Sequence, residues 1–274
     1  MHSRSGWIHG ALVVVIISVI GATTSTDGNP RGQLRGPSGE AARPDARSAA
    51  PIDLTGYWVS IVTEDWRFRM IVPDKGDYAS VPLTALGRQT ADMWDPTKDQ
   101  ASGLQCKSYG AAAIMRVPGR LHIYWENENT LRVDTDSGKQ TRRLHFADLI
   151  PQGEGASWQG YSLAEWQGLR PTPAFMVARQ AAPNVPPEGF LRVQTTRMRP
   201  GYLRKNGVPY SEDAVLEEYF DTFKELNGDQ WLVVTTAVTD PTYLFQPFIT
   251  STHFKKLPNA SGWDPTECHA DQPR

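Results

Sequence analysis

Neither sign of charge dominates this chain, which has 28 Lys and Arg residues against 30 Asp and Glu residues, a formal net charge of −2. A nucleic-acid-binding protein needs a basic stripe, so the composition argues against that class. The chain also lacks G-x-S-x-G, H-E-x-x-H, C-x-x-C, a phosphate-binding glycine loop and a dinucleotide fingerprint. These absences argue against the common α/β-hydrolase, zinc-protease and nucleotide-dependent classes. No cofactor is predicted, and an enzyme of unfamiliar design stays open.

Cysteine is scarce, with only Cys106 and Cys268 in 274 residues. In an oxidising compartment two such residues are expected to form a disulfide. The bridge would tie the C-terminal tail to the segment that precedes residue 111. Two free thiols are the alternative, although no local signature of a catalytic cysteine surrounds either residue.

Long apolar runs are also lacking, apart from residues 11–20. Residues 1–25 combine a basic start, this run and small residues after it, which is the layout of a secretory signal peptide. The run is too short to cross a bilayer of ~30 Å as a helix, although an uncleaved anchor is the alternative. Residues 26–51 hold mostly Gly, Pro, Ala, Arg and Asp and are predicted to be a disordered linker. A single domain at 52–274 is therefore expected in the periplasm or outside the cell, without stable membrane insertion after signal removal.

Residues 111–146 contain four short alternating runs separated by three turn signals, Pro118-Gly119, Asn127-Glu128-Asn129 and Ser137-Gly138. A three-residue loop at the second signal pairs Ile123 with Val133. A four-residue turn would mix the two faces, which a half-buried sheet does not tolerate. A two-residue loop at the third signal pairs Leu131 with Leu144. The sequence therefore predicts an antiparallel meander.

This register divides the meander into two faces. The apolar face carries Leu121, Ile123, Trp125, Leu131, Val133, Leu144 and Phe146. The polar face carries His122, Tyr124, Glu126, Arg132, Asp134, Arg143 and His145. On the polar face His122 opposes Asp134, and Arg132 opposes Arg143. The alternation does not determine which face of the meander points into the interior of the fold.

The polar face supplies most of the candidate site residues. If it lines an interior, His122, Asp134 and His145 are candidate acid–base catalysts. The candidate ligand-binding residues have groups that bind a carboxylate or phosphate: Arg67, Arg69, Tyr124, Arg132 and Arg143. If the face is in water, the same residues are ordinary cross-strand pairs worth roughly 0.2–1 kcal/mol each. A metal is not predicted, because His122 and His145 lie two strands, or about 10 Å, apart.

The remaining chain consists mainly of short strand candidates, at residues 51–63, 64–70, 157–166, 190–198, 214–226, 230–239 and 248–255. Thr84 is a predicted N-cap for one short helix at 84–94, and Asn227-Gly228 predicts a hairpin. The turn at 199–210 carries Arg199, Arg204 and Lys205, which would rim an opening. The proline-rich segment 167–189 is a candidate lid. The pattern predicts an all-β fold, either an antiparallel up-and-down barrel or a curved sandwich.

Two resemblances support export and this fold. Gly56-Tyr57-Trp58 matches the G-x-W motif that opens the first strand of lipocalins, where the Trp plugs the closed end of a barrel. The combination of I-M-R-V-P, Arg142–His145 and Val238–Phe248 resembles a family of secreted bacterial β-rich proteins. That family implies export and a β-rich fold, and it implies no activity.

Three functions are consistent with the sequence. The first is an exported barrel that binds a small, partly apolar molecule, which is anionic if the arginines bind it. The second is a cofactor-independent hydrolase, lyase or isomerase that uses the His/Asp/Arg face. The third is a module that binds another protein through an exposed aromatic patch.

Overall fold

The computed structural model describes residues 45–168 and 189–274. The predicted signal peptide, most of the predicted linker and nearly all of the candidate lid lie outside these ranges. Residues 45–51, at the end of the predicted linker, contact the folded domain. The backbone N–H of Ala46 donates to Asn129 Oδ1 (3.0 Å) and that of Arg47 to the carbonyl of Glu128 (3.0 Å). The packed part of the chain therefore begins before Ile52.

The described residues contain eleven strands and four short helices. The strands are β1 (Gly56–Ile61), β2 (Arg120–Asn127), β3 (Thr130–Thr135), β4 (Thr141–His145), β5 (Tyr161–Gly168), β6 (Gly189–Thr196), β7 (Gly201–Arg204), β8 (Val208–Tyr210), β9 (Val215–Lys224), β10 (Gln230–Thr239) and β11 (Phe248–Leu257). The helices are α1 (Trp66–Arg69), α2 (Ala85–Asp92), α3 (Pro96–Ala101) and α4 (Ala111–Ile114), with 3₁₀ turns at Gln105–Tyr109 and Ser137–Lys139.

Nine strands close into a barrel in the order β1-β11-β10-β9-β6-β5-β4-β3-β2, and β7 and β8 form a separate hairpin. This confirms the predicted all-β barrel. One pair departs from a wholly antiparallel arrangement, because β4 and β5 are parallel, with Leu144 opposite Ser162. A parallel neighbour needs a crossover connection, and residues 146–160 provide it.

The predicted register of the meander is confirmed. Ile123 pairs with Val133, Leu131 with Leu144, and a bulge follows Trp125. The bulge absorbs the extra residue of the turn and keeps the two faces separate. The predicted hairpin at Asn227-Gly228 is also confirmed, since β9 and β10 pair on either side of it. Gly228 has φ = 91° there, a left-handed conformation that favours glycine.

Two sequence-based strand predictions are wrong. Residues 64–70 contain the helix α1, which is tied down by the bond from Arg69 Nε to the carbonyl of Arg116 (2.9 Å). Residues 111–114, the start of the first predicted run, form α4, whose four residues are all buried. Three of them are alanine, the residue with the highest helix propensity, and burial on all sides removes the alternation that a half-exposed strand requires. The helix α2 begins as predicted, because Thr84 Oγ1 accepts a hydrogen bond from the N–H of Gly87 (3.0 Å).

The apolar face of the meander is the one that looks inward. Ile123, Val133 and Leu144 are all 0% exposed and pack in one core with Trp58 and Phe220. Burying such side chains contributes roughly 1.5–3 kcal/mol each. The polar face consequently lies on the outside of the barrel.

Cys106 and Cys268 form the predicted disulfide, with Cα atoms 5.1 Å apart. The bridge fastens the C-terminal tail to the 3₁₀ turn at Gln105–Tyr109. The tail is held further by Arg274, whose Nη2 donates to Asp136 Oδ2 (2.9 Å). These contacts place the last residues of the chain against the end of the barrel where β2 begins.

Candidate functional site

The three residues predicted to be catalytic lie on the outer face of the barrel. His122 and Asp134 are opposite one another, as predicted. The Asp134 carboxylate accepts hydrogen bonds from Arg132 Nε (2.8 Å), Thr141 Oγ1 (2.6 Å) and Tyr124 Oη (3.2 Å). A carboxylate with these bonds is already well satisfied. Its assignment as a catalytic residue stays a prediction.

The two histidines of this face are packed against aromatic rings. The His122 ring stacks on Tyr57 at 4.1 Å, with Trp263 edge-on at 6.3 Å. The His145 ring stacks on Tyr161 at 4.6 Å. Burial is the main cause that lowers the pKa of both histidines, so both are neutral at pH 7.

The opposed pair Arg132 and Arg143 is bridged by an acid from the protein itself. Arg143 makes two hydrogen bonds to Glu126, at 2.7 and 3.1 Å, and Arg132 Nη1 lies 3.6 Å from the same carboxylate. The hydrogen bond from Arg143 is the main cause that lowers the pKa of Glu126. This resolves the repulsion between like charges without an external anion, and the outer face therefore has little charge left for a ligand.

The remaining predicted ligand-binding residues, Arg67 and Arg69, both belong to α1 but differ in exposure. Arg67 is exposed and pairs with Asp77. Arg69 is buried, at 3% exposure. Its guanidinium binds Glu64, Ser60 Oγ and the carbonyl of Arg116. Sequence analysis grouped the two arginines, but the helical turn sends them in opposite directions.

Arg69 belongs to a group of three buried arginines. We call these arginines, together with the residues that line the cavity between them, the arginine pocket. Arg116 and Arg204 are 6% and 3% exposed. They come from the end of α4 and the end of β7, at the barrel end where β1 finishes and β2 starts. The cavity between them has a volume of about 20 Å³, which is enough for a water-sized group. The lining is completed by Phe68, Ile71, Ser108, Ala113, Val117, Pro118, Leu203, Lys205 and Pro273.

The three guanidinium groups differ in how fully they are bonded. Arg116 Nη2 binds Asp65 at 3.0 Å, but its Nη1 is buried and has no hydrogen-bond partner in the described part of the chain. Arg204 donates from Nη1 to the carbonyl of Ala79 (2.6 Å), while its Nε and Nη2 are buried and have no hydrogen-bond partner within residues 45–168 and 189–274. A buried charged donor without an acceptor costs about 1–3 kcal/mol or more. Such a cluster is the strongest sign of a missing anionic partner among the described residues.

Burial also governs the electrostatics of the pocket. It lowers the pKa of Arg204 to about 10, with the charge of Arg116 as the next cause. The Arg204 guanidinium lies 4.0 Å from the centre of the Phe68 ring, and stacking of this kind partly replaces lost hydration. At neutral pH the arginines therefore stay charged, and they are destabilised by burial and by one another.

Lys205 lies beside the arginines and links them to the C-terminal tail. Its Nζ donates to Tyr109 Oη and to the carbonyl of Gln272, both at 2.6 Å. Burial lowers the pKa of Lys205 from 10.5 to about 7. The nearby negative charge of Asp271 offsets only part of this decrease.

A pH-dependent contribution to stability follows from Lys205. Between pH 7 and 10.5 the unfolded chain keeps a proton that the folded chain releases, so the free energy of unfolding should rise with pH, by up to about 1.4 kcal/mol per unit. Urea unfolding of the wild type and of Lys205→Met, compared below the ordinary tyrosine pKa of 10.0, measures this slope. The variant should lose the slope, whereas Lys98→Met, whose side chain is 82% exposed, should keep it. Equal slopes in all three proteins would contradict the lowering of the Lys205 pKa by burial.

A larger groove of about 600 Å³ lies between the turn at residues 46–49 and strands β5 and β6. Its principal polar groups already have partners. Trp166 Nε1 donates to the carbonyl of Ala46 (2.7 Å), and Arg192 pairs with Glu165 and Glu217. The groove therefore has room for a molecule, but it lacks the unsatisfied donors that mark the arginine pocket.

Sequence reasoning found part of the arginine pocket. It named Arg69 as a ligand-binding residue and placed Arg204 and Lys205 at an opening, but it gave Arg116 no role. A signal was present, because Arg116 stands among the apolar residues Ile114, Met115, Val117 and Pro118. A cation inside an apolar run is a candidate buried charge, and a buried charge requires a partner.

Within residues 45–168 and 189–274, the side chains of His, Cys, Asp and Glu form no group of three that could hold a metal ion. In the same ranges, no helix has both the length and the apolar character needed to cross a membrane. Comparison with protein-family models, with curated proteins and with solved structures finds no match.

Proposed function

We propose that this protein is a binding protein whose arginine pocket takes up the anionic group of a small molecule. The observation that carries this proposal is the state of Arg204, a guanidinium 3% exposed with two unpaired N–H groups. No acidic side chain among the described residues lies within 4.0 Å of it. Arg116 adds a third unpaired donor on the same cavity. An anion that accepts these bonds would remove the cost of leaving them unmade.

The alternative enzymatic function has weaker support. It depends on the His/Asp/Arg face, whose charges are paired with one another on the outside of the barrel. Among the described residues no histidine lines the cavity of the arginine pocket. His253 reaches only Glu64, with Nδ1 3.1 Å from Oε2, and both acids, Glu64 and Asp65, are bonded to arginines. Binding without turnover is the simpler function for such a group.

We also propose that the protein acts outside the cytoplasm. The support is the disulfide between Cys106 and Cys268, since such bridges persist in oxidising compartments. The apolar run at residues 11–20, with the small residues that follow it, is the segment that would direct export.

The binding proposal predicts that small anions raise the stability of the folded protein through Arg204. Acetate, sulfate and inorganic phosphate, each added at constant ionic strength, should include at least one anion that raises Tm in proportion to the logarithm of its concentration. Arg204→Gln should weaken that effect about tenfold or more, because two charge-assisted hydrogen bonds are lost. Differential scanning calorimetry measures both quantities.

The matched control is Arg143→Gln, which removes a cation from the outer face, where Glu126 pairs with it. This variant should respond to the anion as the wild type does. If no anion stabilises the wild type, or if both variants lose the response equally, the arginine pocket is not the binding site.

A further inference from the structure

The charge balance of the arginine pocket limits the charge of its ligand. Arg69 pairs with Glu64, and Arg116 pairs with Asp65. Arg67, at the edge, pairs with Asp77. Arg204 is thus the one arginine of the pocket without an acidic partner among the described residues, and Lys205 carries a full positive charge only below about pH 7. A single negative charge therefore neutralises the site, whereas a dianion would leave one negative charge without a partner.

The open donors of Arg204 also have a definite shape. Nε and Nη2 lie on the same edge of the planar guanidinium, while Nη1 is turned to the carbonyl of Ala79. The same edge of Arg143 holds Glu126 through Nε and Nη2 in this protein. Two parallel N–H groups match the two oxygens of a carboxylate. The geometry thus selects an acceptor with two adjacent oxygens, and a carboxylate offers them together with a single negative charge.

The surroundings of this edge are apolar. Most other side chains that line the cavity are hydrocarbon, including Phe68, Val117 and Leu203. Ile71 lines the cavity and is 51% exposed, and Trp66 and Met70 of the adjoining helical segment are 63% and 50% exposed. The cavity of about 20 Å³ has room for a water-sized group, so it admits at most the tip of a head group. The body of a ligand would lie outside, over exposed apolar side chains.

We propose that the ligand is a monocarboxylic acid with an apolar body, bound by the Nε and Nη2 edge of Arg204 and covered by the apolar residues of α1 and Ile71. This inference rests on the proposed function and names its ligand class. The carboxylate replaces the missing acidic partner of Arg204, and Arg116 Nη1 supplies a further donor. The apolar body removes the exposed surface of Trp66, Met70 and Ile71 from water.

Isothermal titration calorimetry with straight-chain carboxylates tests the inference. Acetate, hexanoate and decanoate, each below its micelle-forming concentration, are compared with decan-1-ol, chloride and inorganic phosphate. We expect affinity to rise up to about fourfold for each CH₂ that contacts the apolar side chains. Decan-1-ol should bind at least about tenfold more weakly than decanoate, because it cannot accept both bonds.

Two variants locate the contacts. Arg204→Lys keeps the charge but loses the two-pronged donor edge, and it should weaken decanoate binding about tenfold. Ile71→Ser should reduce the gain in affinity for each added CH₂ group of the carboxylate. Circular dichroism confirms that each variant is folded.

The outcomes separate this inference from the proposed function. Tighter binding of phosphate than of any carboxylate would overturn the ligand class and leave anion binding in place. Carboxylate binding that does not depend on chain length would overturn the apolar body. If none of the anions binds, both proposals fail.

Discussion

Glu218→Ala should lower the free energy of unfolding by about 3–5 kcal/mol, the largest effect expected from one substitution in the barrel. Glu218 and Arg142 face each other inside the barrel, and both side chains are 0% exposed. Arg142 holds both carboxylate oxygens, and its Nη2 also lies 3.3 Å from Thr195 Oγ1. Removing the carboxylate would leave an uncompensated cation in an apolar interior. Urea unfolding followed by tryptophan fluorescence measures the loss.

Two further variants test this explanation. Arg142→Met combined with Glu218→Leu removes both charges, and it should recover most of the lost stability. Glu126→Ala removes a carboxylate that is likewise paired with an arginine, but on the outer face, where its side chain is 31% exposed. This variant should lower the free energy of unfolding by no more than about 1 kcal/mol. If Glu218→Ala costs as little as Glu126→Ala, the buried pair does not support the barrel.

Replacing both Cys106 and Cys268 with serine should lower the free energy of unfolding by about 2–5 kcal/mol. The bridge joins residues 162 positions apart, so it restricts a long segment of the unfolded chain. It also fixes the tail, whose Gln272 carbonyl binds Lys205 and whose Pro273 lines the arginine pocket. The variant should therefore lose both stability and part of any anion affinity.

The measurement compares oxidised wild type, reduced wild type and the double variant in guanidinium chloride. Reduced wild type and the variant should have the same lowered midpoint. A single replacement, Cys106→Ser, serves as a control for the loss of the bridge alone. An unchanged midpoint in all proteins would show that the tail is held by Arg274 and Lys205 without help from the disulfide.

The register of the meander was predictable because it depends on local chemistry. A period of two places Ile123 and Val133 on the same face, and any shift of one residue would turn them outward. The hairpin at Asn227-Gly228 was predictable for a similar reason, since few residue pairs adopt the turn. The disulfide was predictable because the chain offers only one possible pair.

Alternation could also have placed Arg142 inside the barrel. Arg142 lies two positions before the inward-facing Leu144 in β4. Because side chains of a strand alternate with a period of two, Arg142 belongs to the apolar face. The acidic residue that pairs with Arg142 could not be found in the same way. Glu218 is 76 residues away, and only closure of the barrel brings it opposite Arg142.

The helices α1 and α4 were not predictable from periodicity. Residues 64–70 alternate as a strand does, but Arg69 is drawn to the carbonyl of Arg116 and the backbone turns. The parallel pair of β4 and β5 likewise depends on where the chain re-enters the sheet after residues 146–160. In both cases a contact that is distant in sequence overrides a weak local preference.

By itself, the sequence determined most of the strand pattern, the pairing of the meander and the single possible disulfide, because each depends on neighbouring residues or on a count. The tertiary structure decided which face of the meander is dry and which arginines meet. Arg69, Arg116 and Arg204 are separated by 47 and 88 positions, from 116 − 69 and 204 − 116. Local chemistry does not link positions so far apart. The folded chain brings their charges together at one end of the barrel and leaves the donors of Arg204 unpaired.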